Sequence, residues 1–190
     1  SLRPAHYRTT VWDMDDSRDA YTSSGPVQYN LNWKRVKGVG GSTLHWGGLV
    51  ARFNPKDFEM NSRYGLARDW PIGYGDLKQF YVEAEAEFGA SGTDDGEFRA
   101  PRDEPYPMPA FPHSYSDSIF QSACEELGIS VSSAANVINT EVYDGRSQCV
   151  GYGTCSPVCP SGAKYSADIH VRKAESEGAT LIDRAVVQRF

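Results

Sequence analysis

One hundred and ninety residues fit one ordinary domain and leave little room for two, and 39% hydrophobic with 23% charged residues exclude a disordered, collagen-like or coiled-coil chain. Nineteen Lys and Arg against 25 Asp and Glu give a net charge of −6, which disfavours a nucleic-acid partner held by phosphate neutralisation and a basic membrane patch. No apolar run approaches the ~18 residues of a membrane span and the opening lacks a signal pattern, so the chain reads as soluble, with no direct span.

Ser1 to Asn32 shows no sustained period and reads as an irregular connection. From Val39 to Gly48, four glycines surround Ser42, Thr43 and the pair His45-Trp46, a composition that lets a ligand approach the backbone closely. Gly38-Val-Gly40-Gly41-Ser42-Thr43 is not the primary dinucleotide fingerprint, because G-x-G-x-x-G needs glycine where Thr43 stands. Such a segment can still cradle a pyrophosphate or a flavin edge, and the bland reading is a tight glycine turn.

Tyr74 to Gly89 is the clearest helix, with Leu77, Phe80, Tyr81, Ala84 and Phe88 at three- and four-residue spacing, an acidic face expected to be solvated, and Gly89 as its stop. Five prolines between Pro101 and Pro112 forbid regular structure and predict an extended loop, a lid or spacer. A second helix over about Asp117 to Leu127 turns Ile119, Phe120, Ala123, Cys124 and Leu127 inward and ends at Gly128. Ser166 to Glu177 reads as a helix ending at Gly178, followed by a strand through Leu181, Ile182, Val186 and Val187, which together suggest an α/β layer.

Cys149, Cys155 and Cys159 cluster on a loop ending Cys159-Pro160, while Cys124 stands apart and reads as a small buried hydrophobe. Glycines 151 and 153 let the loop curl around a compact object, and three local thiolates fit a three-iron cluster. A zinc site completed by Cys124 or His170, and a pair of disulfides, remain open on spacing alone.

Arg35-Val-Lys-Gly-Val-Gly-Gly-Ser-Thr-Leu-His-Trp46, Arg68-Asp-Trp-Pro-Ile72, Pro105-Tyr-Pro-Met-Pro109, Cys159-Pro-Ser-Gly-Ala163 and Ala185-Val-Val-Gln-Arg-Phe190 occur together and in order. On these motifs the chain, from about Trp33 to Phe190, resembles the glucose–methanol–choline (GMC) oxidoreductases. The resemblance is to the catalytic subunits of FAD-dependent gluconate, sorbitol, fructose and glucose dehydrogenases, which carry a 3Fe-4S cluster on a C-x5-C-x3-C loop.

The resemblance implies an α/β fold, the interior part of an FAD/NAD(P)-binding Rossmann-like flavoprotein with long irregular loops. It implies part of the FAD-binding domain with an irregular opening (1–70), a helical and proline-rich cap or spacer (71–135), an iron–sulfur cysteine loop (136–165), and a helix and strand returning to the FAD-binding domain (166–190). Gly40, Gly41, Ser42 and Thr43 would line the flavin and its diphosphate, His45 and Trp46 would lie beside the isoalloxazine, and Val187 would meet the adenine. His45 stands where some relatives attach FAD covalently. Cys149, Cys155 and Cys159 would hold the cluster.

The family's N-terminal G-x-G-x-x-G unit and its C-terminal catalytic histidine are missing, so the expectation is an interior fragment with no catalytic residue of its own. The implied reaction is oxidation of a sugar, polyol or related alcohol, with electrons leaving through the cluster to a cytochrome c subunit, small subunits being further partners. Like its relatives, the protein would be periplasmic or membrane-associated through those partners, and otherwise cytoplasmic. The rival readings are a ferredoxin-like electron-transfer module without catalysis and a disulfide-stapled binding domain.

Overall fold

The computed structural model describes positions 26, 36, 38–96, 99–156, 158–185, 187 and 189; the irregular opening expected over Ser1 to Asn32 lies outside them apart from Pro26. Among the described residues the elements in chain order are a 3-10 turn at Gly41–Leu44, another at Pro55–Glu59, α1 (Met60–Tyr64), α2 (Tyr74–Phe88), β1 (Ser91–Gly92), β2 (Met108–Pro109), α3 (Tyr115–Glu126) and α4 (Asp168–Ser176). Helices with one small parallel sheet make a mixed α/β chain. It divides into two compact units, the first formed by Ser1–Gly47, Gly153–Pro160 and Tyr165–Phe190, the second by Gly48–Tyr152 and Ser161–Lys164.

In the second unit, aromatic packing anchors α1 and the start of α2. Phe58 is buried, with Trp70 and Tyr74 edge-on at 5.3 and 6.4 Å between ring centroids. Asp69, beside Trp70, accepts the amides of Ser62 and Asn61 at 3.0 and 2.8 Å, and these bonds hold its carboxyl below the usual carboxylate range. It thereby satisfies N–H groups that the first turn of α1 leaves open. The Arg68-Asp-Trp-Pro-Ile72 motif is therefore a capping and packing device.

α2 forms where the period places it. The Gly73 amide donates to Asp76 at 2.7 Å at its start, and Gly89, at φ 69°, ends it. Its buried face differs from the expectation: Phe80 is 61% exposed, whereas Glu85 is among the buried residues. The acidic face is not simply solvated, because Arg52 and Arg102 each grip the Glu85 carboxylate through two hydrogen bonds, at 2.7–2.8 Å and 2.8–3.0 Å. Burial pushes that carboxyl up, but the two guanidiniums outweigh it and hold it below its ordinary range. A charged pair of hands from two remote loops thus overrides local hydrophobic spacing.

The centre of the unit is a thread at 135–139. Asn136 exchanges backbone bonds with Ser91 at 2.7 and 3.0 Å, the Val137 amide donates to Gly48 at 2.8 Å, and the Asn139 amide donates to Ala163 at 3.0 Å. Val137, Asn139, Ser91, Ala90 and Ala163 are fully buried around it. The proline segment is extended as expected, except that Met108–Pro109 pairs with β1, which places Met108 in the core.

Next along the chain, Tyr143 and Arg146 exchange backbone bonds across Asp144 and Gly145, both at positive φ, the pattern of a type I′ turn. The Asn139 amide group donates to the carbonyls of Tyr143 and Arg146, both at 3.0 Å, locking this turn to the thread. Arg146 in turn donates to the Phe88 carbonyl at 2.7 Å, just before Gly89. A Cβ at Gly89 would stand 2.5 Å from that guanidinium and 2.7 Å from the Tyr143 ring. Gly89→Ala, which combines this clash with positive φ, is expected to lower stability by ~2 kcal/mol or more, read as an earlier denaturant midpoint at unchanged slope.

α3 begins at Tyr115, ahead of the expected start, because Ser114 and Asp117 form a reciprocal capping box. Cys124 is buried as expected. Ile119, Phe120, Ala123 and Leu127 are not; they are exposed. α4 is shorter than expected at its start and closes before Gly178, at φ 95°. The strand expected beyond it is not formed among the described residues: Leu181, Ile182 and Val187 are exposed, and a strand exists only where a second strand takes up its N–H and C=O groups. No helix among the described residues is long and apolar enough to cross a membrane.

Candidate functional site

The glycine segment of the first unit forms a tight structure built on two left-handed residues. Gly40 (φ 97°) and Gly41 (φ 56°) turn the chain into the 3-10 turn, closed by the Gly41 amide donating to Gly38 at 2.9 Å. A Cβ on Gly40 would press on the Asp168 amide and on Leu44, both at 3.0 Å, so this glycine is fixed by packing against the start of α4. The Thr43 hydroxyl donates to the Gly40 carbonyl at 2.5 Å and accepts the Ala167 amide at 2.8 Å. Thr43 therefore ties the turn to α4.

Gly41 and Gly47 are different: a Cβ on either would meet nothing within 4 Å. The exposed Ser42 hydroxyl accepts the Val36 amide at 3.2 Å and keeps its own hydrogen for a further acceptor. Bare backbone facing open space beside a spare hydroxyl donor suits a flat or anionic ligand such as a flavin nucleotide, so the residues fit FAD.

His45 and Trp46 are half-buried beside this opening. The Trp46 indole N–H donates to the Tyr165 carbonyl at 2.9 Å, which fixes the ring plane, and the Ser156 hydroxyl donates to the His45 carbonyl at 2.9 Å. Tyr165 is itself buried, with its hydroxyl 2.8 Å from His170 Nδ1. Sequence patterning did not single out Tyr165 or Ser156; Tyr165 acts through its own carbonyl and Ser156 through its hydroxyl, each on a residue more than a hundred positions away. Val187 is exposed and lies in no strand.

All four cysteines are thiols rather than disulfides, Cys124 buried and Cys149, Cys155 and Cys159 partly exposed. Among the described residues no three His, Cys, Asp or Glu side chains are gathered so as to hold a metal. Thiols gain nothing from converging on one another; coordination is what draws them together. The donor chemistry nevertheless suits a metal cluster. Gly151 and Gly153 take positive φ, and the Gly151 amide donates to Cys149 Sγ at 3.4 Å, the kind of hydrogen bond to sulfur that surrounds iron–sulfur clusters.

Of the remaining histidines, His113 meets Gln121 at 2.7 Å and Ser133 at 3.1 Å, His170 meets Tyr165, and His6 lies outside the described residues.

No family model matches the chain. It is 42% identical over 165 residues to the fructose dehydrogenase large subunit of Gluconobacter japonicus, covering 86% of this chain and 30% of that one. The gluconate 2-dehydrogenase flavoprotein of Pantoea cypripedii is 32% identical over 135 residues, 58% of this chain and 22% of that protein. The 2-methyl-1,2-propanediol dehydrogenase of Mycolicibacterium austroafricanum is 28% identical over 197 residues, 90% of this chain and 36% of that enzyme. The chain thus spans between 22% and 36% of these relatives.

These relatives are dehydrogenases of hydroxyl-bearing compounds by name, which is consistent with the GMC resemblance of the glycine and cysteine motifs. Within that class the chain's similarity is to dehydrogenase subunits, one named a large subunit and one a flavoprotein.

Proposed function

We propose that this chain is part of an FAD-dependent dehydrogenase that oxidises a CH–OH group of a sugar, polyol or related alcohol and passes the electrons through a 3Fe-4S cluster to an external acceptor, a cytochrome c subunit. The observation that carries the reading is 42% identity over 86% of the chain to a fructose dehydrogenase large subunit, in a chain whose glycine segment leaves backbone open to a ligand.

In this reading the described residues belong to a Rossmann-like FAD-binding fold. Gly40 and Thr43 hold the turn, Gly41 and Gly47 give the flavin room, Ser42 donates to it, and the Trp46 ring, fixed by Tyr165, walls one side. FAD, when bound, supplies the hydride acceptor. Cys149, Cys155 and Cys159 are the cluster ligands, and the base that takes the substrate's proton comes from elsewhere in the protein.

The test is anaerobic reduction of the whole protein. Fructose, gluconate or a vicinal diol should bleach the visible flavin band, and His45→Ala should lower flavin content or shift its potential. A whole protein that carries no flavin, either released on denaturation or retained in the acid-precipitated pellet, would overturn the reading. So would a flavin that none of these substrates reduces.

A further inference from the structure

The second unit contains a cavity of about 440 Å³ whose lining includes three guanidiniums, those of Arg52, Arg99 and Arg102, with Tyr106, Ser130 and Ser132. That is the size of a small-molecule site. Two of the three charges are neutralised: Arg52 and Arg102 share Glu85, and Arg102 also pairs with Asp94 at 3.1 Å. Arg99 is not. Among the described residues no carboxylate pairs with it, its buried Nε has no acceptor, and its side chain donates to the Tyr106 hydroxyl at 3.4 Å.

A guanidinium cannot shed its proton, so half-buried Arg99 keeps its charge while its buried Nε goes unsatisfied. The cavity edge is kept close by Gly96 at φ 131°, where a Cβ would stand 2.8 Å from Ser132 Oγ and 3.2 Å from Arg99 Nε. Only a glycine leaves the Arg99 fork and the Ser132 hydroxyl facing the same space.

We propose that this cavity binds a small organic oxyanion, a carboxylate or phosphate group, through Arg99 and the Ser132 hydroxyl. The planar fork of a guanidinium matches two oxygens of either group, and the hydroxyl adds a further donor. The apolar walls at Leu49, Val50 and Ala134 suit a carbon skeleton. The proposal stands independently of the flavin reading, because none of these residues is assigned to the flavin or the cluster.

The experiment measures melting temperature of the whole protein in chloride buffer at fixed ionic strength, with inorganic phosphate or with succinate replacing part of the chloride. A saturating ligand should raise it by several degrees, and Arg99→Gln should abolish that rise. In chloride alone the variant should be at least as stable as the parent, since an uncompensated charge has been removed. A rise with phosphate only identifies a phosphorylated ligand, and one with succinate only an organic acid. An equal rise in the variant reports a general salt effect and overturns the site, as does no rise in the parent. Loss of stability in Arg99→Gln in chloride, including failure to fold, shows Arg99 already neutralised within the chain and overturns it as well.

Discussion

Glu85→Gln is expected to lower stability by about 3–5 kcal/mol, the cost of removing one partner from a buried charge network. The Arg52 and Arg102 side chains are 3% and 6% exposed, against 11% for Glu85. Without the carboxylate they would be two cations facing each other, with Asp94 the remaining partner of one. Glutamine keeps the shape but supplies one carbonyl acceptor where four donors point, and its amide group faces them with more hydrogens.

The same network makes a prediction about acid. Because the folded carboxyl sits below its ordinary range, its contribution is present above the ordinary carboxylate pKa and is lost as pH falls through the folded value. The stability gap between parent and Glu85→Gln should therefore be full near neutrality and close in acid. Urea midpoints across pH would measure it; a gap of under 1 kcal/mol at neutral pH would show that the three side chains are not held as the structure has them.

This network also marks where the sequence stops being legible. α2 could be read because its period, Asp76 and Gly89 are local signals, and all act within one or two turns. Its buried face could not, because Glu85 meets arginines 33 and 17 residues away, a pairing no periodicity encodes. α3 shows the complementary failure: Ser114 and Asp117 set its start locally, but whether Ile119 and Phe120 are covered depends on a neighbour, and no described element covers them. The strand through Leu181 and Ile182 fails for the same reason, since strand structure is a property of pairs. At the candidate site the glycines were legible from composition alone, while the roles divided among them were not. Gly40 is fixed by a contact with Asp168, Gly41 faces open space, and only three-dimensional placement separates the two.

Serine at Cys149, Cys155 or Cys159 is expected to remove most of the iron from the anaerobically prepared whole protein, which on the proposed reading holds about three iron atoms per chain. The three thiols are partly exposed, two of them flank the positive-φ glycines 151 and 153, and one already accepts an amide hydrogen, as a cluster thiolate does. Cys124 is the internal control. It sits buried on α3, so Cys124→Ala should leave the iron unchanged and cost only the packing of one small side chain. Flavin content should survive the three serine substitutions, because Thr43 ties the glycine turn to the Ala167 amide, the Tyr165 carbonyl holds the Trp46 ring, and the Ser156 hydroxyl holds the His45 carbonyl. The outcome separates the glycine segment from the cysteine loop, about a hundred residues further along the chain. Iron lost with flavin retained assigns the metal to the cysteine loop, whereas zinc in place of iron in the parent, or iron unchanged in all three variants, removes the cluster from the proposed function.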